Sequence, residues 1–194
     1  MMEKFVLASN NKKKISELRA ILGGLLPDCT VCSLSDIGYA GDIEENGTSF
    51  EENSVIKASV PARLGYIGIA DDSGLCVDAL GGAPGIYSAR YSGKGDRENN
   101  VKLLSGLEGK TDRGAKFVCV MSAVFPDGRI VTARGEVRGT ILTEPRGNDG
   151  FGYDPLFYLP EYGCTSAQLS PEEKNRISHR SHALHKLLEE LGKE

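Results

Sequence analysis

Apolar and polar positions along the chain follow two periods, and the periods mark the elements. Phe5-Val6-Leu7-Ala8 is an unbroken apolar run of strand length and reads as a short buried strand. Ser9-Asn10-Asn11 then opens a helix whose apolar residues Ile15, Leu18, Ile21 and Leu22 recur at helical spacing, and Gly23-Gly24 is expected to end it. Thr30 to Ile37 predicts a second strand, followed by the acidic loop Asp42-Ile43-Glu44-Glu45. Thr48-Ser49-Phe50-Glu51 has the form of a capping box, Thr with Glu three positions on. A helix is predicted from there to about Leu64, with Pro61 placed to kink or shorten it. Tyr66 to Ala70 predicts a strand that stops at Asp71-Asp72-Ser73-Gly74.

The second half has shorter elements. Gly81-Gly82-Ala83-Pro84-Gly85 can continue neither helix nor strand and predicts a tight loop. Val101, Leu103, Leu104 and Leu107 support a helix around Glu98 to Leu107. Lys116 to Phe125 and Arg129 to Val137 flank Pro126-Asp127-Gly128, a hairpin signature. Glu144 to Asp154 has no apolar period and predicts a loop before a short strand, Leu156 to Leu159. Ser170-Pro171-Glu172-Glu173 sets an N-cap, a proline at the first helical position and a glutamate at the third. The helix it starts either runs through or restarts at Ser178, burying Ile177, Leu184, Leu187, Leu188 and Leu191. No repeat or linker interrupts the pattern. Strands alternating with helices, plus one hairpin, predict an α/β fold: a mixed β-sheet flanked by helices, in a single domain spanning residues 1–194.

Composition narrows the class. A chain of 194 residues, 40% hydrophobic and 26% charged, can bury a substantial core and is not a disordered chain. Lys and Arg number 23 against 27 Asp and Glu, a net charge of −4. That balance argues against a general nucleic-acid coat, whose affinity rests on clustered cations. It leaves room for a small phosphorylated ligand held by a few local cations. The apolar run after Met1-Met2-Glu3-Lys4 is too short for a signal-peptide core or a membrane span. The five cysteines, Cys29, Cys32, Cys76, Cys119 and Cys164, form one CxxC with no second pair at zinc spacing. A soluble cytoplasmic protein with reduced cysteines, and with no membrane partner, is the expectation.

Four constellations could carry chemistry. Ser9, Asn10, Asn11, Lys12, Lys13 and Lys14 sit at a strand-to-helix turn, where free N–H groups and lysines attract anions. The carboxylate clusters Glu44-Glu45 and Asp71-Asp72 need a cation, an arginine or a raised pKa, and beside phosphates they suit Mg²⁺. Asn148-Asp149-Gly150-Phe151-Gly152-Tyr153-Asp154-Pro155 holds two aromatics in a glycine-rich loop, able to stack on a base. Lys174, Arg176, His179 and Arg180 gather cations near a helix start. Together these describe a cleft for a metal-bound nucleotide polyphosphate. A pyrophosphatase acting on other modified nucleotides and a non-enzymatic nucleotide sensor are the competing classes.

Six motifs then occur in order over essentially the whole chain. They are Leu7-Ala8-Ser9-Asn10-Asn11-Lys12; Gly47-Thr48-Ser49-Phe50-Glu51-Glu52-Asn53-Ser54; Ala70-Asp71-Asp72-Ser73-Gly74-Leu75; Gly81-Gly82-Ala83-Pro84-Gly85-Ile86-Tyr87-Ser88-Ala89-Arg90; Phe151-Gly152-Tyr153-Asp154-Pro155; and Ile177-Ser178-His179-Arg180. In this order they resemble the inosine/xanthosine triphosphate pyrophosphatases. The resemblance implies hydrolysis of ITP, dITP and XTP to the monophosphate and pyrophosphate with one or more Mg²⁺ ions. It implies a homodimer of two-lobed subunits with a substrate cleft between the lobes. Carried over by residue, Ser9, Asn10, Asn11, Lys12, Lys13 and Lys14 would cradle the triphosphate, with Lys57 a further phosphate contact. Asp72 would be the catalytic carboxylate and a metal ligand, Ser73 a substrate contact, and Glu44 the second metal ligand, with Glu45 a substitute. Phe151, Gly152, Tyr153 and Asp154 would hold the base, Lys174 would touch substrate, and His179 and Arg180 would read the base, Arg180 aiming a donor at the purine 6-oxygen. Many relatives have Thr-Gly-Asn or Thr-His-Asn where this chain has Ser9-Asn10-Asn11; the small hydroxyl is kept.

Overall fold

A computed structural model describes residues 4–9, 11–25 and 30–192. Seven strands, β1 (Lys4–Leu7), β2 (Thr30–Ser33), β3 (Ile67–Val77), β4 (Gly114–Val124), β5 (Ile130–Ile141), β6 (Phe157–Leu159) and β7 (Cys164–Thr165), form one sheet in the order β2-β1-β3-β4-β5-β6-β7. β1 runs parallel to β2 and β3, while β5–β6 and β6–β7 are antiparallel, so the sheet is mixed. The helices are α1 (Lys12–Leu25), α2 (Phe50–Arg63), α3 (Asp96–Gly106), α4 (Pro171–Ile177) and α5 (His179–Leu191). No described helix is long and apolar enough to cross a membrane.

The chain divides into two compact units. One comprises Met1–Asp72, Cys119–Gly135 and Arg180–Glu194, the other Ser73–Val118 and Glu136–His179. The dipeptides Asp72-Ser73 and His179-Arg180 therefore each straddle a change of unit. In the first unit, β1 is buried on both faces, which is why its sequence is a continuous apolar run. Phe5 and Leu7 pack with Ile69 against Leu18 and Leu22 of α1 and Leu184 and Leu187 of α5. Val6 and Ala8 pack with Ala70 against Leu34 and against Ala58 and Ala62 of α2. The second unit has its own core, with Leu75, Val77, Leu103, Leu107, Ile141 and Phe157 fully or nearly fully buried.

Several boundaries differ from the sequence pattern. α1 runs through Gly23 and Gly24 to Leu25: the pair lowers helical propensity, but the packed face around Leu18, Ile21 and Leu22 outweighs it. β2 stops at Ser33 because the Asp36 carboxylate accepts the Ser33 N–H at 2.8 Å and turns residues Ser35–Ile37 into a 3-10 helix. The N-cap of α2 is Ser49, one residue past the expected Thr48. Ser49 Oγ accepts the Glu52 N–H, and the Glu52 carboxylate takes the N–H and hydroxyl of Thr48. Of the apolar positions of α3, Leu103 is buried and Val101 faces solvent. At the C-terminus Ser178 is extended and α5 starts anew after it, while the Ser170 capping box stands as predicted. β7 has only two residues, too few to show a period.

The largest difference is β3. It continues without a break through Asp71-Asp72-Ser73-Gly74 to Val77, where a stop was expected. Gly74 lets a neighbouring backbone in: a Cβ there would lie 2.2 Å from the Gly85 carbonyl oxygen. The two aspartates stay in the strand because each meets a buried cation.

Candidate active site

In a strand, consecutive side chains point to opposite faces. Asp71 shares the face of Ile69, towards α1 and α5, and Asp72 shares the face of Ala70, towards α2. The adjacent carboxylates therefore belong to separate charge clusters, one on each side of the sheet.

On the α2 side, Lys57 reaches Asp72 Oδ1 at 3.1 Å and Glu45 Oε2 at 2.9 Å. Asn53, fully buried, donates from Nδ2 to Asp72 Oδ2 at 3.3 Å and accepts the Gly47 N–H on Oδ1 at 2.9 Å. Its amide orientation is thus set by both partners, and it ties the acidic loop to Asp72. A Cβ on Gly47 would fall 2.6 Å from Asn53 Oδ1, so this position requires glycine. Burial pushes the Asp72 carboxyl above the usual carboxylate range, and Lys57 and then Lys14 pull it back only in part. Burial would lower the Lys57 ammonium, but Asp72, Asp71 and Glu45 outweigh it and hold the proton more tightly than in water. Glu45, rather than Glu44, shares this lysine; Glu44 is solvent-exposed on the same loop.

On the other face, Asp71 Oδ2 receives Lys14 Nζ at 3.1 Å and Nε and Nη2 of Arg180, each at 3.4 Å. Arg180 Nη1 also bonds Glu17 of α1. Arg180 is 2% exposed, so its guanidinium is enclosed by this cluster. Burial works against its charge, and Asp71 and Glu17 outweigh that and raise its pKa. The start of α1 is capped from within: Asn11 Oδ1 accepts the N–H groups of Lys13 and Lys14 at 3.0 and 3.2 Å, and Ser9 Oγ accepts that of Asn11. Positive charge at this helix start comes from the ammonium groups, with Lys12 and Lys13 at the surface, more than from bare amides. Asn10 lies outside the described residues.

The second unit holds the aromatic loop. Asp154 accepts the Phe151 N–H at 2.8 Å and Lys174 Nζ at 2.7 Å, which fixes the loop onto α4. The Lys174 ammonium also lies 4.8 Å from the centre of the Phe151 ring. Tyr153 is buried, its hydroxyl donating to the Ser88 carbonyl at 2.9 Å, and burial raises its pKa. His179 stacks on Phe117 with ring centroids 4.9 Å apart and planes 13° apart. Lys174, Asp154, His179, Phe117 and Phe157 line a small cavity. Ser73 is half-buried in β3. The expected pair His179 and Arg180 is thus divided, because successive residues of a helix point about 100° apart: one stacks on an aromatic, the other closes a charge cluster.

The model of the Ham1 family matches residues 5–190. The chain belongs to the Ham1 family. Its sequence is 50% identical to a protein of Geobacter sulfurreducens named dITP/XTP pyrophosphatase, over 98% of each chain. It is 49% identical to one of that name from Pseudomonas aeruginosa, again over 98% of each. The fold matches the Ham1 protein of Staphylococcus aureus with a TM-score of 0.89 at 46% identity, covering 99% of this chain and all of the other. The Ham1 protein of Coxiella burnetii gives the same TM-score at 41% identity, with both chains covered in full.

Two residues of these charge clusters were not anticipated as site residues. Asn53 lies inside a motif that drew notice only as a helix start, and Glu17 is three positions after Lys14, one turn along α1. No set of three or more His, Cys, Asp or Glu side chains is gathered for a metal among the described residues. The donors that are gathered, Asp72 and Glu45, are hard oxygens bridged by one ammonium. That pair fits Mg²⁺, which binds through one or two carboxylates and completes its shell with waters and phosphates.

Proposed function

We propose that this Ham1 family protein hydrolyses deaminated purine nucleoside triphosphates, dITP, ITP and XTP, to the nucleoside monophosphate and pyrophosphate in the presence of Mg²⁺. The observation that carries the reading is a charge count on the two faces of β3. On the Asp71 side the described ion pairs set two carboxylates, Asp71 and Glu17, against two cations, Lys14 and Arg180. On the Asp72 side two carboxylates, Asp72 and Glu45, share one ammonium, Lys57. The surplus negative charge lies with Asp72, which suits it to a divalent cation and to proton removal. The names of relatives about 50% identical over nearly the whole chain support the substrate class.

Asp72 accepts a proton from the attacking water, its free lone pairs oriented by Lys57 and Asn53. Water adds to the α-phosphorus, the bond to the bridging oxygen breaks, and pyrophosphate leaves. Lys12 and Lys13, with Lys14 beside them, offset the charge that develops on it. Asp72 and Glu45, with Glu44 on the same loop as a further ligand, would hold Mg²⁺, which would neutralise the phosphate oxygens. Asn10, Asn11, Ser9 and Ser73 complete the phosphate and sugar contacts. The base is held by Phe151, Gly152, Tyr153 and Asp154 with Lys174, and His179 acts at its 6-position, where hypoxanthine and xanthine present an acceptor and adenine a donor, while Arg180 stays enclosed with Asp71 and Glu17. The protein acts in the cytoplasm, as a homodimer, on free nucleotides and not on nucleic acid.

Pyrophosphate release from dITP, ITP and XTP beside dATP, dGTP and dTTP, with and without Mg²⁺, tests this directly. Deaminated purines are preferred and chelation stops turnover; a preference for a common nucleotide refutes the substrate class. Asp72→Asn lowers release by at least about 100-fold while the melting curve persists, and retained turnover removes Asp72 from the chemistry.

A further inference from the structure

We propose that helix α3 is the positioning element of the base-holding loop, with Asp96 and Asn100 as positioning residues that fix the Gly152 peptide and so aim Phe151. The inference rests on the proposed role of that loop in holding the purine. Asp96 Oδ2 accepts the Gly152 N–H at 2.9 Å, and Asn100 Nδ2 donates to the Gly152 carbonyl at 2.9 Å. The two residues are four apart and share one face of α3, so one helix face grips both polar ends of a single residue. Gly152 has φ of 62°, a left-handed conformation that its own chain does not enforce. The neighbouring Asn99, 1% exposed, accepts the N–H and hydroxyl of Ser92 at 2.7 Å and donates to the carbonyls of Ser88 and Ala89. The Tyr153 hydroxyl donates to that same Ser88 carbonyl. Both the loop and the segment it leans on are therefore hung from α3.

Asn100 carries a second sign of function. Its Oδ1 is buried and has no hydrogen-bond partner among the described residues. A buried acceptor left unmade costs free energy that an apolar side chain of the same size would not incur. An amide placed there for stability alone is a poor choice; an amide placed there to hold the Gly152 carbonyl is a necessary one.

Three variants of the full chain test this: Asn100→Leu, Asp96→Ala and the acceptor-retaining Asp96→Asn. Amide hydrogen exchange in the nucleotide-free protein reads the clamp itself. Exchange at Gly152 quickens about tenfold in Asp96→Ala and Asn100→Leu, and stays near wild type in Asp96→Asn, while the melting temperature of Asn100→Leu is unchanged. Unchanged exchange in all three overturns the clamp, whatever the enzyme hydrolyses. Kinetics with ITP and Mg²⁺ then read its purpose. KM rises about fivefold in the two disruptive variants with kcat little altered, inosine monophosphate inhibits more weakly by the same factor, and pyrophosphate inhibits as before. Equal weakening of both products means general damage and overturns the positioning role. A wild-type protein that ignores ITP and inosine monophosphate refutes the proposed function, with the exchange result still deciding the clamp.

Discussion

Arg180→Met tests whether the Asp71 face is a charge cluster that the fold depends on. The substitution keeps a long apolar stem and removes the guanidinium, which is 2% exposed and shared by Asp71 and Glu17. Hydrogen bonding to Asp71 is a minor part of the loss, since those two contacts are 3.4 Å long. The larger part is electrostatic: the Asp71 side chain is 1% exposed and cannot recover its hydration. Breaking a buried pair from one side typically costs about 3–5 kcal/mol. Lys14 remains 3.1 Å from Asp71 and Glu17 is partly exposed, so the lower end, about 3 kcal/mol, applies. For a chain of this size that is a fall in melting temperature of about 6–12 °C. Urea unfolding followed by circular dichroism measures it, with an unchanged denaturant slope showing that only stability moved. Asp71→Asn in the same background removes the stranded charge, so the double variant is more stable than the sum of the two single losses by about 1–2 kcal/mol. A cost under about 1 kcal/mol for Arg180→Met, or simple additivity with Asp71→Asn, refutes the reasoning.

Two further perturbations follow from the displaced titrations. In the proposed reaction Asp72 works as a carboxylate, and burial raises its pKa, so the acid limb of kcat/KM lies above the usual carboxylate range; Lys57→Met removes the largest opposing influence and moves that limb to still higher pH. A limb that stays put or moves down in a pH–rate series shows that Lys57 does not act on Asp72. Burial and then the Asp71 charge push the Cys119 thiol from 9.0 up to about 12. Its contribution to stability is present below pH 9 and is lost as the pH rises towards 12, because the unfolded chain ionises first. Cys119→Ala therefore flattens the alkaline fall of the unfolding free energy between those limits, and an equally steep fall in the variant contradicts the assignment.

The sequence pattern reads the sheet class, the first three helices, a helical C-terminus and the order of the motifs, because buried strands and amphipathic helices write their burial as apolar spacing. It misreads β3 for a physical reason. Asp71-Asp72-Ser73-Gly74 is the composition of a turn, and only Lys14, Lys57 and Arg180, brought from three distant helices, make it tolerable as a buried strand. The same limit applies to Asn53 and Asn100. Each is an amide on a helix, indistinguishable in one dimension from a solvated position, and its role exists only where Asp72 or the Gly152 carbonyl meets it. The Ser170 cap was legible because all its partners lie within four residues.

The continuity of β3 also decides what the two aspartates can be for. As a turn, Asp71 and Asp72 would be adjacent like charges competing for one cation. As strand neighbours they face opposite sides, and each is met by a different helix: Asp71 by α1 and α5, Asp72 by α2. The fold can therefore neutralise one and leave the other short of positive charge. Asp71, balanced by Lys14 and Arg180, binds β3 to the helices that flank it. Asp72, sharing a single ammonium with Glu45, keeps the unmet charge that the proposed hydrolysis of a phosphoanhydride calls for. It follows that charge-removing substitutions on the two faces differ in kind. On the Asp71 face they act first on stability, and on the Asp72 face first on turnover, though the carboxylates are one residue apart.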